Sequence, residues 1–225
     1  MNLDRRFILA AGAAVVAVGA VGWYGLRDRP LATTQVPGLS EANAQDRDLS
    51  SLEQPPEFGE RTLGDENAPV TIIEYASATC PHCARYHVDT FPALKEEFID
   101  TGTVRYVFRE FPFDDLALAA FMLARCAPED RFFSIIDVLF EEQQSWTQDP
   151  RGELLKIARM AGFTESSFNQ CLENEEIAAG ILDIRTTGAE QYGVNSTPTF
   201  FVNGTMIQGN QPIERFREAI AEAQG

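Results

Sequence analysis

Residues 70–83 have the sequence VTIIEYASATCPHC, in which an apolar, β-branched run is followed by two cysteines. A nearly continuous apolar run is typical of a strand covered on both faces of a sheet. Pro81 stands directly after Cys80, at the position where proline favours the first turn of a helix. The segment therefore predicts a buried strand that leads into a helix, with Cys80 and Cys83 in the first turn of that helix.

We predict that this helix extends from Cys80 to about Thr101, because Gly102 is a natural helix end. Pro92 should kink it, since proline lacks a backbone donor and its ring clashes with the preceding turn. A second strand is predicted over residues 104–111.

The remainder of the chain contains further helix and strand patterns. Four or five amphipathic patterns between about Asp114 and Tyr192 predict a helical block. Residues 199–202 and 205–208 flank Asn203-Gly204, a dipeptide that strongly favours a two-residue β-hairpin turn. A closing amphipathic helix follows near residues 213–220. The order of strand, helix, strand, helical block, hairpin and helix predicts an α/β fold with one large helical insertion at about 114–192.

The first 30 residues are interpreted as a targeting segment. Residues 7–26 carry no charge and follow Arg5 and Arg6. Such a run is long enough to cross a bilayer as a helix, and it also fits a cleaved signal peptide. The stretch around Arg5 and Arg6 resembles a twin-arginine export signal. We expect residues 1–30 to be a signal peptide or membrane anchor and residues 31–60, which are polar and aperiodic, to be a flexible linker. The folded domain would then comprise residues 61–225 and would lie in the periplasm or at the extracytoplasmic face of the membrane.

The chain is acidic, with 34 Asp and Glu residues against 18 Lys and Arg residues and a formal net charge of -16. A surface of this sign repels phosphate backbones, so we expect no nucleic-acid partner.

The placement of Cys80 and Cys83 predicts redox chemistry. At the start of a helix the unpaired backbone N–H groups and the helix dipole favour a thiolate at Cys80. Cys83 lies one turn further in, where it is close enough to form a disulfide with Cys80 and to resolve a mixed disulfide. His82, when protonated, would add positive potential. Two alternatives remain open: a zinc site completed by His82 or His87, and a purely structural disulfide.

The motif Thr79-Cys80-Pro81-His82-Cys83, together with Ser196-Thr197-Pro198-Thr199 before the hairpin, resembles the DsbA-type thiol–disulfide oxidoreductases of the thioredoxin superfamily. The resemblance covers about residues 63–224. It implies a thioredoxin fold and a cis peptide bond at Pro198, next to the active-site pair. It also implies that Thr197 tunes the redox behaviour and that Glu74 is a buried acid able to relay the proton of Cys83.

The family also implies the function. Such an enzyme introduces disulfides into reduced client proteins and is reoxidised by a membrane quinone-linked partner. For this chain we expect no cofactor and no metal, and we expect a monomer. The alternatives are a disulfide isomerase or reductase, a non-redox chaperone module with the same fold, and a copper-handling protein.

The other two cysteines of the chain are Cys126 and Cys171. We expect them to form a structural disulfide, because two remaining cysteines in an exported chain usually pair. Two buried free thiols are the alternative.

Overall fold

The computed structural model describes residues 48–225, and these contain one five-stranded sheet. The strands are β1 (Arg61–Leu63), β2 (Val70–Ala76), β3 (Val104–Glu110), β4 (Thr199–Val202) and β5 (Thr205–Gln208). Their order across the sheet is β1-β3-β2-β4-β5. β2 and β3 are parallel, whereas β1, β4 and β5 each run antiparallel to the neighbour that they join. This mixed α/β architecture confirms the predicted fold class.

The helices cover both sides of the sheet and form a large insertion between β3 and β4. They are α1 (Pro81–Asp89), α2 (Phe91–Leu94), α3 (Asp115–Cys126), α4 (Phe132–Glu141), α5 (Gln143–Trp146), α6 (Pro150–Met160), α7 (Glu165–Leu172), α8 (Glu175–Glu190) and α9 (Ile213–Gln224). The insertion consists of α3 to α8. Its short helix α5 has too few residues to produce an amphipathic pattern, and the sequence did not predict it.

The prediction of one continuous helix from Cys80 to Thr101 is wrong. It is divided into α1, α2 and a π-helical turn at Lys95–Ile99. The break falls at Thr90, two residues before Pro92, which lies in the first turn of α2. Proline is tolerated in a first turn but not inside a helix, so the chain begins a new helix there instead of bending one.

The two faces of the sheet are buried in separate hydrophobic clusters. Successive side chains of a strand point to opposite faces. On β2, Ile72 therefore packs in the larger cluster, which includes α1 and the helical insertion, while Ile73 and Tyr75 pack in a smaller cluster on the other face. Glu74 has the same parity as Ile72, and this places its carboxylate on the face that α1 covers.

The last part of the predicted flexible linker, residues 48–60, packs on the folded domain, because Leu49, Leu52 and Phe58 lie in or against the smaller cluster. Leu52 is buried there, and Ser51 shares a hydrogen bond with the hydroxyl of Tyr192. The carboxylate of Glu60 accepts hydrogen bonds from Arg105 at 2.8 Å and from Arg109 at 2.7 Å. A polar, aperiodic segment gave no sign of these contacts because its few anchoring side chains are widely spaced.

The predicted signal peptide or anchor at residues 1–30 and the first part of the linker lie outside the described residues. Between residues 48 and 225, none of the helices combines the length and the apolar character needed to cross a bilayer.

The hairpin is as predicted. Asn203 and Gly204 have φ values of +41° and +85°, the left-handed conformation that a two-residue turn of this kind requires at both positions. Asn203 also accepts a hydrogen bond from the backbone N–H of Thr71 at 2.7 Å through its side chain. The turn is thereby tied to the start of β2.

In the helical insertion, Cys126 at the end of α3 is joined by a disulfide to Cys171 of α7. Their Cα atoms are 6.0 Å apart, within the usual range for a bridge. Cys171 is buried and Cys126 is partly buried, and both border the larger hydrophobic cluster.

Candidate active site

Cys80 lies at the junction of β2 and α1. It has extended backbone angles (φ -77°, ψ 119°) and caps α1, which begins at Pro81. The carbonyl of Cys80 accepts the first helical hydrogen bond, from Ala84 N at 3.2 Å. This geometry turns the side chain of Cys80 towards the free N–H groups of the first turn, where a negative charge is favoured.

The two cysteines, both free thiols in this structure, lie in different environments. Cys80 is 8% exposed, whereas Cys83, one turn further along α1, is 0% exposed. A hydrogen bond from Cys83 is the largest of the effects that lower the pKa of Cys80 to about 5, and the backbone N–H groups of Cys83 and His82 contribute. Burial raises the pKa of Cys83 well above its ordinary value, and the proximity of Cys80 and Glu74 acts in the same direction. One sulfur is therefore a thiolate at neutral pH and the other remains protonated.

Thr197 and Pro198 face the pair from the segment before β4. The Thr197–Pro198 peptide bond is cis, as the resemblance implied. Sγ of Cys80 lies 3.4 Å from the carbonyl oxygen of Thr197, to which the thiol form can donate a hydrogen bond. Since β4 is paired with β2, the sheet itself brings this segment beside the cysteines.

Glu74 is completely buried on the α1 side of β2. Its Oε2 lies 3.0 Å from Nε2 of His87 and also accepts a hydrogen bond from the hydroxyl of Tyr106. Its Oε1 is buried and has no hydrogen-bond partner among the described residues. The sequence alone identified Glu74 but not these two partners. His87 was considered only as an alternative metal ligand, and Tyr106 appeared as an ordinary strand residue.

His82 is exposed, and its Nδ1 lies 2.7 Å from Nη2 of Arg85. A guanidinium can only donate, so Nδ1 of His82 is the acceptor in this hydrogen bond. The permanent positive charge beside the first turn of α1 therefore belongs to Arg85. His82 was expected from the sequence to add positive potential when it is protonated, and that stays a prediction.

Two residues of the helical insertion also contact the active-site loop, and neither contact was predicted from the sequence. Gln143 of α5 donates hydrogen bonds to the carbonyl oxygens of Ala78 and Cys80. Asp114, which caps α3, accepts a hydrogen bond from the hydroxyl of Thr79 at 2.8 Å. No sequence motif signals such contacts, because they join segments that are far apart in the chain.

Comparisons with known proteins agree with this geometry. Residues 57–222 match the family model described as thioredoxin. A protein of Rickettsia prowazekii named as a protein-disulfide oxidoreductase is 34% identical over 164 residues, which are 72% of this chain and 60% of that protein. The match thus spans about three fifths of the length of that relative. Disulfide bond formation protein D of Bacillus anthracis, a name qualified there as probable, is 29% identical over 72% of this chain and 76% of its own length.

The crystal structure of alpha-DsbA1 from Wolbachia pipientis superposes with a TM-score of 0.72 at 31% identity, covering 78% of this chain and 96% of that one. The family model covers most of the chain, and this structure is matched over nearly its whole length. The chain belongs to the thioredoxin superfamily and, within it, to the DsbA-type thiol–disulfide oxidoreductases.

Proposed function

We propose that this protein is an exported thiol–disulfide oxidoreductase that introduces disulfide bonds into secreted or periplasmic proteins through Cys80 and Cys83. The observation that carries the proposal is the contrast between the two sulfurs. The pKa of Cys80 is lowered to about 5, while burial raises that of Cys83. A stabilised thiolate makes the reduced pair the favoured product, so the disulfide form is readily passed to other thiols.

The reaction begins with the Cys80–Cys83 disulfide. A client thiolate attacks Sγ of Cys80, the bond between the two cysteines breaks, and Cys83 leaves with the electron pair and takes up a proton. A second client thiolate then attacks the client sulfur of the mixed disulfide and displaces Cys80 as a thiolate. The client has lost two electrons and the enzyme pair has gained them. A membrane quinone-linked partner, expected from the family, would take them away.

The remaining site residues support this sequence of steps. Glu74, whose buried Oε1 has no hydrogen-bond partner among the described residues, is the proposed proton donor and acceptor for Cys83. Pro81 starts the helix whose N–H groups stabilise Cys80. Thr197 and Pro198 form the opposite wall, against which a client segment would lie. Arg85 and His82 provide the charged and exposed rim of the site.

Location outside the cytoplasm is part of the same proposal. The Cys126–Cys171 disulfide supports it, because such bridges persist in oxidising compartments and are rare in reducing ones. We propose that residues 1–30 direct export and that the protein acts as a monomer.

The test uses the full-length protein and two substrates. With fully reduced, unfolded ribonuclease, an oxidase transfers one disulfide per molecule of oxidised enzyme, and Cys80→Ser abolishes the transfer. An isomerase instead restores the activity of scrambled ribonuclease faster than it oxidises reduced thiols. That result would favour the isomerase alternative. If Cys80→Ser left all effects on ribonuclease unchanged, the chaperone alternative would be correct and the proposal wrong.

A further inference from the structure

The loop that carries Cys80 is held from outside the thioredoxin core. Nε2 of Gln143, in α5 of the helical insertion, donates a hydrogen bond to the carbonyl oxygen of Ala78 at 2.7 Å and another to that of Cys80 at 3.0 Å. A carboxamide nitrogen has two hydrogens, and here both are used on the backbone of one short loop.

The position of Gln143 is itself fixed. A helix of four residues is not stable alone, so α5 depends on tertiary contacts. Trp146, in the same turn, is completely buried and donates from Nε1 to the carbonyl oxygen of Leu139 at 2.7 Å. The hydroxyl of Thr147 donates to the carbonyl oxygen of Gln143 at 2.7 Å. The amide is therefore presented to the loop by an anchored turn.

The loop needs these donors. Ala78 is buried, and a buried carbonyl without a hydrogen-bond donor is unfavourable, so the loop would rearrange if Gln143 were absent. The carbonyl of Cys80 already accepts the first hydrogen bond of α1 from Ala84, and Gln143 adds the second. Together these two hydrogen bonds hold the backbone of Cys80 where the loop after β2 enters α1.

We propose that Gln143 is a positioning residue for the thiol chemistry, which places Sγ of Cys80 against Cys83 and the N–H groups of the first helical turn. The proposal rests on the proposed function of Cys80. The helical insertion thereby acts on the redox pair and is more than a cover for the sheet. The hydrogen bond from Thr79 to Asp114 at 2.8 Å is a second link between the loop and the insertion.

The test compares Gln143→Met, which keeps the length of the side chain but cannot donate, with Gln144→Met as the matched control. Gln144 is the next residue of the same helix, and its side chain is exposed. The pKa of Cys80 is measured in the full-length reduced protein from thiolate absorbance as a function of pH. The equilibrium constant with glutathione is measured separately.

Displacing Sγ from its donors raises its pKa, so we expect a rise of about one unit in Gln143→Met and no change in Gln144→Met. The glutathione equilibrium should shift about tenfold towards the disulfide form, equal to a potential about 30 mV more negative. Gln143→Glu, whose carboxylate repels both carbonyl oxygens, should shift both quantities at least as far.

Loss of thermal stability in Gln143→Met with an unchanged pKa of Cys80 would mean that Gln143 is merely structural, and would overturn the proposal. Equal shifts in Gln144→Met would overturn it as well. If Gln143→Met does not fold, the same comparison is decided with Gln143→Glu and with Gln143→Asn, whose amide is too short to reach the loop. A wild-type protein that fails to exchange with glutathione would refute the proposed function, while the pKa comparison would still decide the role of Gln143.

Discussion

Nε2 of His87 lies 3.0 Å from Oε2 of Glu74, in the buried layer between β2 and α1. The hydroxyl of Tyr106 donates to the same oxygen. Both donors therefore engage Oε2, and the buried Oε1 is left without a hydrogen-bond partner among the described residues. Burial is the largest cause of the raised pKa of Cys83, the hydrogen bond with Cys80 is the second, and the charge of Glu74 is the third. We propose that Oε1 is the oxygen that exchanges a proton with Cys83.

Glu74→Gln should slow the step in which Cys83 resolves a mixed disulfide. An amide preserves the shape of the side chain but cannot accept the proton that Cys83 must lose before it attacks. Positioned acid–base groups typically contribute 10²–10⁴-fold, and because water can substitute in part we expect a slowing of about 10- to 100-fold. The rate is measured by rapid quench after a mixed disulfide with glutathione has formed.

The matched control is Glu60→Gln. The side chain of Glu60 is largely buried too, at 7% exposure, but its carboxylate pairs with Arg105 and Arg109 away from the cysteines. If both variants resolve the mixed disulfide at the wild-type rate, Glu74 does not serve as the proton acceptor.

The stability of the reduced protein should depend on pH through Cys80. Its pKa is about 5 in the folded state, against 9.0 for an ordinary cysteine. A depressed pKa contributes stability that is fully present above pH 9 and is lost as the pH falls through 5. The disulfide form lacks this titration. The free energy of unfolding of the reduced form, relative to that of the oxidised form, should therefore rise by about 2 kcal/mol between pH 5 and pH 7.

Urea unfolding of both redox forms at the two pH values provides the measurement, and subtracting one form from the other cancels the other titrating groups. A difference that does not change with pH would mean that Cys80 is not ionised in this range.

Removal of the second disulfide should lower stability and leave the chemistry intact. The bridge joins residues 45 positions apart, and its loss in Cys126→Ala/Cys171→Ala should reduce the free energy of unfolding by about 4 kcal/mol on the chain-entropy model. The exchange rate of Cys80 with glutathione, measured on the folded variant, should match the wild type. A changed exchange rate would show that the bridge influences the site.

Leu52 tests whether residues 48–60 belong to the folded domain. It is 2% exposed and packs with the smaller hydrophobic cluster, so Leu52→Ala should lower the free energy of unfolding by about 2 kcal/mol. The neighbouring Glu53 is exposed, and Glu53→Ala should leave stability within about 0.5 kcal/mol of the wild type. If Leu52→Ala is as stable as Glu53→Ala, this segment contributes nothing to the stability of the fold.

The parts of the fold that the sequence predicted are those with strong local signals. The apolar run of β2 matches the observed strand over Val70–Ala76, and the Asn203-Gly204 turn is where the dipeptide placed it. Pro81 marks the first residue of α1. In each case the residue type restricts the backbone directly, so no knowledge of tertiary contacts was needed.

The parts that were missed depend on contacts between distant segments. β1 has three residues, and it pairs with β3 across more than 40 positions of the chain. α5 is a single turn held by the burial of Trp146. The contact between His87 and Glu74 was not predicted, because the two side chains meet only when α1 packs against β2. Local sequence carries no record of such packing.

The most direct test of the account uses Cys83→Ser and Cys80→Ser with a reduced client. Each full-length variant is incubated with reduced, unfolded ribonuclease under mild oxidation, the thiols are blocked by acid quench and alkylation, and the linked peptides are identified by mass spectrometry. The account predicts that Cys83→Ser accumulates a mixed disulfide between Cys80 and the client, whereas Cys80→Ser accumulates none. A mixed disulfide that forms through Cys83 in Cys80→Ser, with none through Cys80 in Cys83→Ser, would contradict it.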